Sequence, residues 1–452
     1  MSLKNGVSSA SVCIRGSDCA TSGALVGWAA LNGKKVAAME EPRPILYGVS
    51  DYALMRRKNA WFVDRTAKIR DLEKVRYALF LRPRRFGKSL LTSILEAYYD
   101  VRYADRFEEF FAGTDIGSNP TEEHNKYLIL RFDFSAVSKE TGKVQDDFDF
   151  KASLQCDAFA RKYRAELTGE LADRILKAAD CGKKLAEIAT SLKGTAAKLY
   201  VLIDEYDNFT NTILAKSGLN AYNELCHGDG FFKQFFTELK SATSGTDASV
   251  TRLFITGVSP VTMDDVTSGF NIGTNIALDS VFADLTGFRH DDLHAMVQYY
   301  APRCGFDADK AEQVCMDWFD NYRFGSHDAP PVANTTLVLN FFDKLVRAGR
   351  WPGDYIDENL RTDYAKIKHL VFNTSFSERI RPFFDRICST GKISSLLRSG
   401  NADIRDAFDF IKWFYYEGLL TIENCKYGRY VFSVPNRFAS TIIEEIGHDW
   451  ER

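Results

Sequence analysis

The 452-residue sequence has little that would point to a structural metal centre or a disulfide framework. Its nine cysteines are scattered and form no Cys-x-x-Cys pair, and its seven histidines are equally dispersed. Zinc sites and secreted disulfide scaffolds need closely spaced ligands or paired cysteines, so neither is expected. The cysteines are predicted to be buried or free thiols of a protein in the reducing cytoplasm.

Two further absences concern membranes and nucleic acids. No apolar run reaches the roughly 20 residues that cross a bilayer, and no charged-then-apolar signal peptide opens the chain. The formal net charge of −3 gives no general attraction to nucleic acid, so any contact with DNA would need a local basic patch. The length and the 45% of apolar residues predict a globular chain of two or three domains.

The most informative stretch runs from Tyr77 to Asp100 and reads YALFLRPRRFGKSLLTSILEAYYD. Residues 77–81 have the apolar character of a buried strand, and apolar residues after Ser89 recur at helical spacing. A strand, a loop that ends in Gly-Lys-Ser and a helix form the context of a phosphate-binding loop. The alternative is an ordinary strand-to-helix turn that carries a lone Gly-Lys-Ser.

This loop has the chemistry to bind a nucleoside triphosphate. Unpaired backbone N–H groups at a helix N-terminus attract phosphate, and Gly87 lets the backbone approach it. Lys88 can reach the β- and γ-phosphates, and Ser89 can place a hydroxyl on Mg²⁺. Arg82 departs from the motif, which has glycine there, and predicts a wider or differently entered loop. The predicted cofactor-binding residues of the loop are Arg82, Pro83, Arg84, Arg85, Phe86, Gly87, Lys88, Ser89 and Leu90.

A second motif, KLYVLIDEYD, places two acids after another apolar strand at residues 199–203. Nucleotide sites in open α/β sheets lie at the carboxyl ends of strands. We therefore predict that Asp204 holds Mg²⁺ together with Ser89, and that Glu205 activates the attacking water, with Lys88 as the second catalytic residue. The alternative is an acidic pair that caps the following helix.

A third strand is predicted at TRLFITGV, residues 251–258, from its apolar run. Folds with a phosphate-binding loop of this kind have such a strand between the phosphate-loop strand and the acidic strand, and we expect it there. A polar residue at its end would lie near the γ-phosphate. Thr256 is the predicted residue and Ser259 the alternative. A threonine whose hydroxyl is satisfied by the backbone remains equally open.

FLRPRRFGKS and LIDEYD together resemble the predicted AAA-ATPase family, whose members are often fused to a PD-(D/E)XK nuclease domain. The resemblance extends over roughly Gly48 to Arg437 and implies ATP and Mg²⁺ as cofactors. It also implies that arginine is tolerated at position 82. Further segments that resemble the family, in chain order, are GVSD (48–51), FVDRT (62–66), LRFDFS (130–135), FITGV (254–258), WFDNYRF (318–324), GLLT (418–421) and VPN (434–436).

The fold expected from the motifs and the resemblance is an α/β, P-loop NTPase three-layer sandwich with a parallel sheet. A helical lid and a winged-helix-like C-terminal region would follow. The predicted divisions are a poorly ordered N-terminal extension (1–43), the ATPase core (44–285), the helical lid region (286–400) and the winged-helix-like region (401–452). By analogy with the family, the segment at 61–74 is expected on the adenine side of the nucleotide pocket. Whether residues 1–43 belong to the native protein is left open.

The predicted function is Mg²⁺-dependent ATP hydrolysis that drives a conformational switch. The chain ends too soon for the nuclease domain of the family, and Glu238-Leu239-Lys240 matches its triplet inside a predicted helix, so no nuclease activity is expected. One alternative is a nucleotide-binding scaffold or interaction module with little turnover. Another is a DNA-binding regulator, disfavoured because the helix of the winged-helix-like region carries Asp403, Asp406 and Asp409. A protein partner or a homo-oligomer fits the resemblance, and no membrane partner is expected.

Overall fold

A five-stranded parallel sheet lies at the centre of the fold. Its strands are β1 (Tyr77–Leu81), β2 (Tyr127–Asp133), β3 (Lys198–Asp204), β4 (Val250–Gly257) and β5 (Thr274–Asn275), in the spatial order β2-β3-β4-β1-β5. The order confirms that the 251–258 strand lies between the phosphate-loop strand and the acidic strand. β1 and β3 are almost wholly buried, which explains their continuous apolar character.

The computed structural model describes residues 41–227, 230–260, 262, 272–356, 364, 377–396 and 407–450. Residues 1–41 and 42–452 are separate units, and all elements named here belong to the second. The predicted N-terminal extension therefore lies outside the described residues, apart from its last three positions. Within the described part of the chain, none of the helices has the length and apolar character that a membrane crossing needs.

Helices cover both faces of the sheet, which gives the predicted three layers. Alternate residues of a strand point to opposite faces, so Phe80 joins one apolar cluster and Leu79 and Leu81 the other. The helices of the Phe80 face are α1 (Tyr52–Arg57), α2 (Ile69–Leu72), α3 (Lys88–Tyr99), α4 (Phe107–Phe111) and α5 (Asp115–Ser118). Those of the other face are α6 (Val144–Lys162), α7 (Gly169–Lys177), α8 (Cys181–Leu192), α9 (Asn208–Cys226) and α10 (Phe231–Ala242).

The C-terminal half begins with three helices, α11 (His290–Cys304), α12 (Ala308–Trp318) and α13 (Thr335–Ala348). The Asn334 side chain caps α13 by accepting hydrogen bonds from the backbone N–H groups of Thr336 and Leu337. The triplet Glu238-Leu239-Lys240 lies within α10, so it is helical as predicted.

A second, antiparallel sheet follows in the C-terminal half. After α14 (Ser377–Thr390) come β6 (Lys392–Leu396), α15 (Ala407–Tyr416), β7 (Thr421–Lys426), β8 (Arg429–Ser433) and α16 (Arg437–Trp450), with strand order β6-β8-β7. β6 precedes the predicted boundary at residue 400 but pairs with β8 beyond it, so one sheet spans that boundary. Asp403 and Asp406 lie outside the described residues, whereas Asp409 lies on α15. The winged-helix assignment stays a prediction.

Candidate nucleotide site

The phosphate-binding loop, residues 82–89, turns directly into the N-terminus of α3. Gly87 has a φ of 85° and precedes Lys88, the first residue of the twelve-residue helix. A Cβ at Gly87 would meet Thr335 no closer than 3.7 Å, so the left-handed conformation, not space, is what favours glycine. Arg85 also has a positive φ, of 66°, which is uncommon for a side chain other than glycine. The loop is therefore held in a bent conformation at two positions.

Lys88 is 5% exposed and folds back over the loop. Its Nζ donates to the carbonyl oxygens of Arg82 and Pro83, each at 3.0 Å. Burial lowers the pKa of Lys88, while the nearby carboxylates of Glu205 and Asp204 raise it. The structure thus brings the loop lysine and the acidic end of β3 into one electrostatic environment.

Asp204 and Thr256 are bonded to each other across adjacent strands. The Thr256 hydroxyl donates to Oδ1 of Asp204 at 2.5 Å, and both residues are buried. The second carboxylate oxygen of Asp204 lies 4.0 Å from the guanidinium of Arg131 on β2. The hydroxyl of Thr256 is thus bonded to a carboxylate. The sequence-based expectations, a place near the γ-phosphate or a bond to the backbone, did not include this partner.

Glu205 follows β3 in a left-handed conformation, with a φ of 51°. Its Oε2 accepts a hydrogen bond of 2.5 Å from Nδ2 of Asn208, the first residue of α9. Burial raises the pKa of Glu205, and the charges of Lys88 and Arg84 act against that rise. A carboxylate with raised proton affinity at the end of a strand has the properties of a general base.

Asp207 is a further buried acid of this site that the sequence analysis did not single out. It accepts hydrogen bonds from the backbone N–H of Val258 at 3.1 Å and of Ser259 at 2.7 Å. The contact is close: a Cβ at Gly257 would lie 2.6 Å from the Asp207 carboxylate. Burial raises its pKa and those two N–H groups lower it. Asp207 therefore holds the loop after β4 against the segment that carries Asp204 and Glu205. In the sequence, the third acid of DEYD was the signal that could have indicated this residue.

Arg82 occupies the first position of the loop, and its side chain is directed into the protein interior. Its guanidinium donates to the carbonyl oxygens of Ala277 at 2.9 Å and Phe282 at 2.7 Å, and lies 4.5 Å and 4.1 Å from the ring centroids of Phe80 and Phe324. Burial lowers its pKa to about 10, so it stays charged at neutral pH. The guanidinium is thus bound to groups within the protein, and Arg82 contacts Lys88 through its backbone carbonyl oxygen. Its predicted contact with nucleotide stays a prediction.

The carbonyl oxygens of Arg84 and Arg85 accept hydrogen bonds from residues at the N-terminus of α13. Nδ2 of Asn334 donates to the carbonyl oxygen of Arg84 at 3.3 Å. The backbone N–H and the hydroxyl of Thr336 donate to the carbonyl oxygen of Arg85, at 3.1 Å and 2.8 Å. These bonds hold the loop at the residue with positive φ. No local sequence pattern near the loop signals a partner about 250 residues away.

Residues around the end of α15 also contact the loop. Nε of Arg84 lies 3.6 Å from Oε2 of Glu417, and a Cβ at Gly418 would lie 2.9 Å from Cβ of Pro83. Because a side chain at 418 would collide with the loop, glycine permits this close approach. The C-terminal half is therefore in direct contact with the phosphate-binding loop.

Phe86 anchors the loop in the C-terminal half. It is fully buried, and its ring lies edge-on to Tyr322 and Phe324, with centroid distances of 5.0 Å and 5.4 Å. Edge-to-face aromatic pairs of this kind contribute about 0.5–1.5 kcal/mol each beyond their burial. Phe86 was predicted to bind the cofactor; its side chain packs in the core and also lines the adjacent apolar cleft, and its contact with nucleotide stays a prediction.

An apolar cleft of about 700 Å³, solvent at its mouth included, opens beside Gly87 and Leu90. The segment at 61–69, predicted for the adenine side, forms one wall, and Leu339 of α13 contributes to another. A mainly apolar cleft beside the phosphate loop is suited to a planar base. The full lining is Met55, Trp61, Phe62, Val63, Arg65, Thr66, Ile69, Phe86, Gly87, Leu90, Leu91, Ile94, Leu285, Thr286, Gly287, Phe288, Thr335 and Leu339.

The side chains available for Mg²⁺ are the hydroxyl of Ser89, at the second position of α3, and the carboxylate of Asp204. Among the described residues, no group of three or more His, Cys, Asp and Glu side chains could hold a metal. A hydroxyl and a carboxylate nevertheless fit Mg²⁺, which usually keeps several waters and binds through few protein oxygens plus phosphate. The donor set is compatible with magnesium carried in with a nucleotide.

The comparison with protein families agrees with the geometry. The model of the predicted AAA-ATPase family matches residues 46–267. This segment belongs to that family. It contains the phosphate-binding loop, the acidic end of β3 and Thr256, and the match supports a nucleotide-binding ATPase in general terms. The matched segment ends before α13 and α15, and residues at the start of α13 and just after α15 contact the loop.

A curated relative and two solved structures are similar to the chain. An "Uncharacterized protein in vnfD 5'region" of Azotobacter chroococcum mcd 1 is 23% identical over 313 residues, which are 66% of this chain and 50% of that protein. The chain thus spans about half the length of that relative. Cdc6p of Pyrobaculum aerophilum (10% identity, 86% of this chain and 93% of that one) has a TM-score of 0.31. ORC2 of Aeropyrum pernix, an ADPNP–ADP complex (8% identity, 88% and 93%), has a TM-score of 0.37.

Proposed function

We propose that this protein binds ATP with Mg²⁺ and hydrolyses it, and that hydrolysis switches the contact between its α/β core and its C-terminal half. The observation that carries the proposal is that Lys88, which follows β1, shares an electrostatic environment with Glu205 at the end of β3, with only β4 between those two strands. A phosphate-binding lysine and a carboxylate that can accept the proton of the attacking water are recurring parts of sites that hydrolyse a γ-phosphate.

The loop and α3 would bind the triphosphate. The N–H groups at the start of α3 and the ammonium of Lys88 meet the phosphates, while the apolar cleft beside Leu90 takes the base. To reach a phosphate, Lys88 exchanges its hydrogen bonds to the carbonyls of Arg82 and Pro83 for phosphate oxygens. A buried ammonium gains more from a phosphate than from neutral carbonyls, which favours that exchange.

Glu205 would accept the proton of the attacking water. Burial raises its proton affinity, and Asn208 holds one carboxylate oxygen in place. Thr256 orients Asp204, which with Ser89 forms the protein part of the metal site. Bound Mg²⁺ would supply charge neutralisation across the β- and γ-phosphates.

The switch is proposed from the contacts between the loop and the C-terminal half. Asn334, Thr336 and Glu417 each approach a loop residue, so a change in loop conformation reaches α13 and the end of α15. α14 and α15 accompany the three-stranded antiparallel sheet β6-β8-β7, an arrangement compatible with the winged-helix-like region that we propose for this end. The switch would act on a partner, either another protein or a second copy of this chain.

The proposal is tested by ATP binding and ATP turnover with Mg²⁺ in three proteins: wild type, Lys88→Ala and Glu205→Gln. We expect turnover by the wild type, loss of binding in Lys88→Ala, and retained binding with turnover reduced about a hundredfold or more in Glu205→Gln. Tight binding without turnover by the wild type would favour the scaffold. Retention on DNA that weakens steeply with salt would favour the regulator.

A further inference from the structure

An exposed apolar pair lies on α6, away from the nucleotide site. In the part of the chain that the structure describes, the exposed large apolar side chains are Phe150 (60%), Leu154 (46%), Val281 (44%) and Tyr427 (96%). Phe150 and Leu154 are four residues apart on one helix, so they are neighbours on its surface. Single exposed apolar residues are common, but a pair on one helix face is a feature of contact surfaces.

A groove with acidic walls runs beside this pair. α6, the start of α8 and α10 border an open groove of about 1540 Å³, solvent at its mouth included, with Phe150 and Ser153 in its lining. The ionisable side chains of the lining are four acids and one base: Asp146, Asp149, Asp180, Glu238 and Lys183.

The negative charge of the groove is not neutralised by the basic residue of its own lining. The one base, Lys183, is already paired with Asp180 at 2.8 Å. Among the described residues, Asp146 and Glu238 take part in no ion pair. The groove therefore has uncompensated negative charge and an adjacent apolar pair.

We propose that this face of α6 and its acidic groove bind a basic helical segment of a partner protein. Apolar side chains of that segment, one helical turn apart, would cover Phe150 and Leu154, and its lysines or arginines would lie against Asp146 and Glu238. The excess of acids opposes a nucleic acid. It also opposes a second copy through the same face, because a two-fold contact would place the acids against each other.

The surface is separate from the proposed nucleotide site. The groove and the apolar cleft have no lining residue in common, and no residue of the phosphate-binding loop lines the groove. Binding at the groove therefore does not depend on ATP binding, and the two proposals fail independently.

The test uses a short fluorescein-labelled peptide of leucine and lysine, with leucines at helical spacing, and fluorescence anisotropy with the full-length protein. We expect the apolar variant Phe150→Ser/Leu154→Ser and the charge variant Asp146→Lys/Glu238→Lys each to weaken binding about tenfold. The matched control is Glu108→Lys on α4, an exposed acid on the opposite face of the sheet, which should leave binding unchanged.

Three results would overturn the proposal. The first is equal weakening by Glu108→Lys, which would indicate general charge attraction. The second is unchanged binding in both groove variants, or equally tight binding of a peptide with serine in place of leucine. The third is self-association of the wild type that Phe150→Ser/Leu154→Ser abolishes, which would make a second copy the occupant. Since both altered apolar side chains are exposed, circular dichroism should confirm that the variant folds.

Discussion

The hydroxyl of Thr256 donates a 2.5 Å hydrogen bond to Oδ1 of Asp204, which joins the end of β4 to the acidic end of β3. Asp204 is 2% exposed, so water cannot replace this donor without rearrangement. The bond fixes the carboxylate that we assign to Mg²⁺, and it makes Thr256 part of the metal site although its hydroxyl need not touch the metal.

Thr256→Val should therefore weaken activation by Mg²⁺ and lower kcat. The change keeps the shape of the side chain but leaves a buried carboxylate oxygen without its donor, a cost of about 1–3 kcal/mol. Thr256→Ser keeps the hydroxyl and is the matched control. Mg²⁺ titration of ATPase activity checks the prediction; a valine variant with the wild-type magnesium dependence would contradict it.

Glu205→Gln should stabilise the protein at neutral pH. Because burial raises the pKa of Glu205, the folded protein holds this proton to higher pH than the unfolded chain does. The stabilisation that this raised pKa provides is fully present at pH values below the ordinary glutamate pKa, and it is lost as pH rises through the raised pKa. Glutamine does not ionise, so the free energy of unfolding of the Glu205→Gln variant should exceed that of the wild type at neutral pH.

The advantage of Glu205→Gln should disappear below the ordinary glutamate pKa, where wild-type Glu205 is protonated in both the folded and the unfolded state. Urea unfolding at the two pH values measures the difference, with Glu108→Gln, an exposed carboxylate, as control. For the same reason, the acid limb of ATP turnover should lie above the ordinary glutamate pKa. Equal stabilisation at both pH values would show that glutamine acts through packing instead.

Arg82→Met should destabilise the whole protein by about 3 kcal/mol or more, because it leaves buried carbonyl groups of Ala277 and Phe282 without their donor. It should also raise the KM for ATP, since the backbone of Arg82 holds Lys88. The exposed Arg57→Met is the control. Thermal or urea unfolding checks the prediction, and a change within about 0.5 kcal/mol would contradict it.

Leu339→Trp should raise the KM for ATP about tenfold with a smaller effect on kcat. Leu339 lines the apolar cleft from α13, and the indole would occupy part of the space that we assign to the base. Leu339→Met keeps the volume and should bind as the wild type does. Unchanged affinity in the tryptophan variant would place the base elsewhere.

Local motifs were sufficient to predict the parts of the site that lie within one strand, loop and helix. The placement of Lys88 and Asp204 follows from apolar runs and from the rule that parallel strands end at one edge, whereas the intermediate position of β4 was expected from the type of fold. The role of Arg82 could not be predicted in this way. Its guanidinium is satisfied by carbonyls about 200 residues away, and nothing near FLRPRRFGKS indicates which segment packs there.

The contacts of the loop with α13 escaped prediction for a related reason. The sequence around Asn334 and Thr336 indicates only the start of a helix, and any loop carbonyl could have been its neighbour. The predicted boundary at residue 400 rested on a local pattern, a helix followed by two strands, in the sequence beyond it. Strand pairing is a long-range property, so the pairing of β6 with β8 was not visible in that signal.

Phe86 has a consequence for how the protein can be divided. Its ring is wholly covered, and two of its covering aromatic rings, Tyr322 and Phe324, lie more than fifty residues beyond the family-matched segment. A fragment cut at residue 267 would expose that ring to water and free the loop at Arg84 and Arg85. We therefore expect the family-matched segment to be less stable on its own than in the full chain, and nucleotide binding to be retained best by fragments that also carry the C-terminal half.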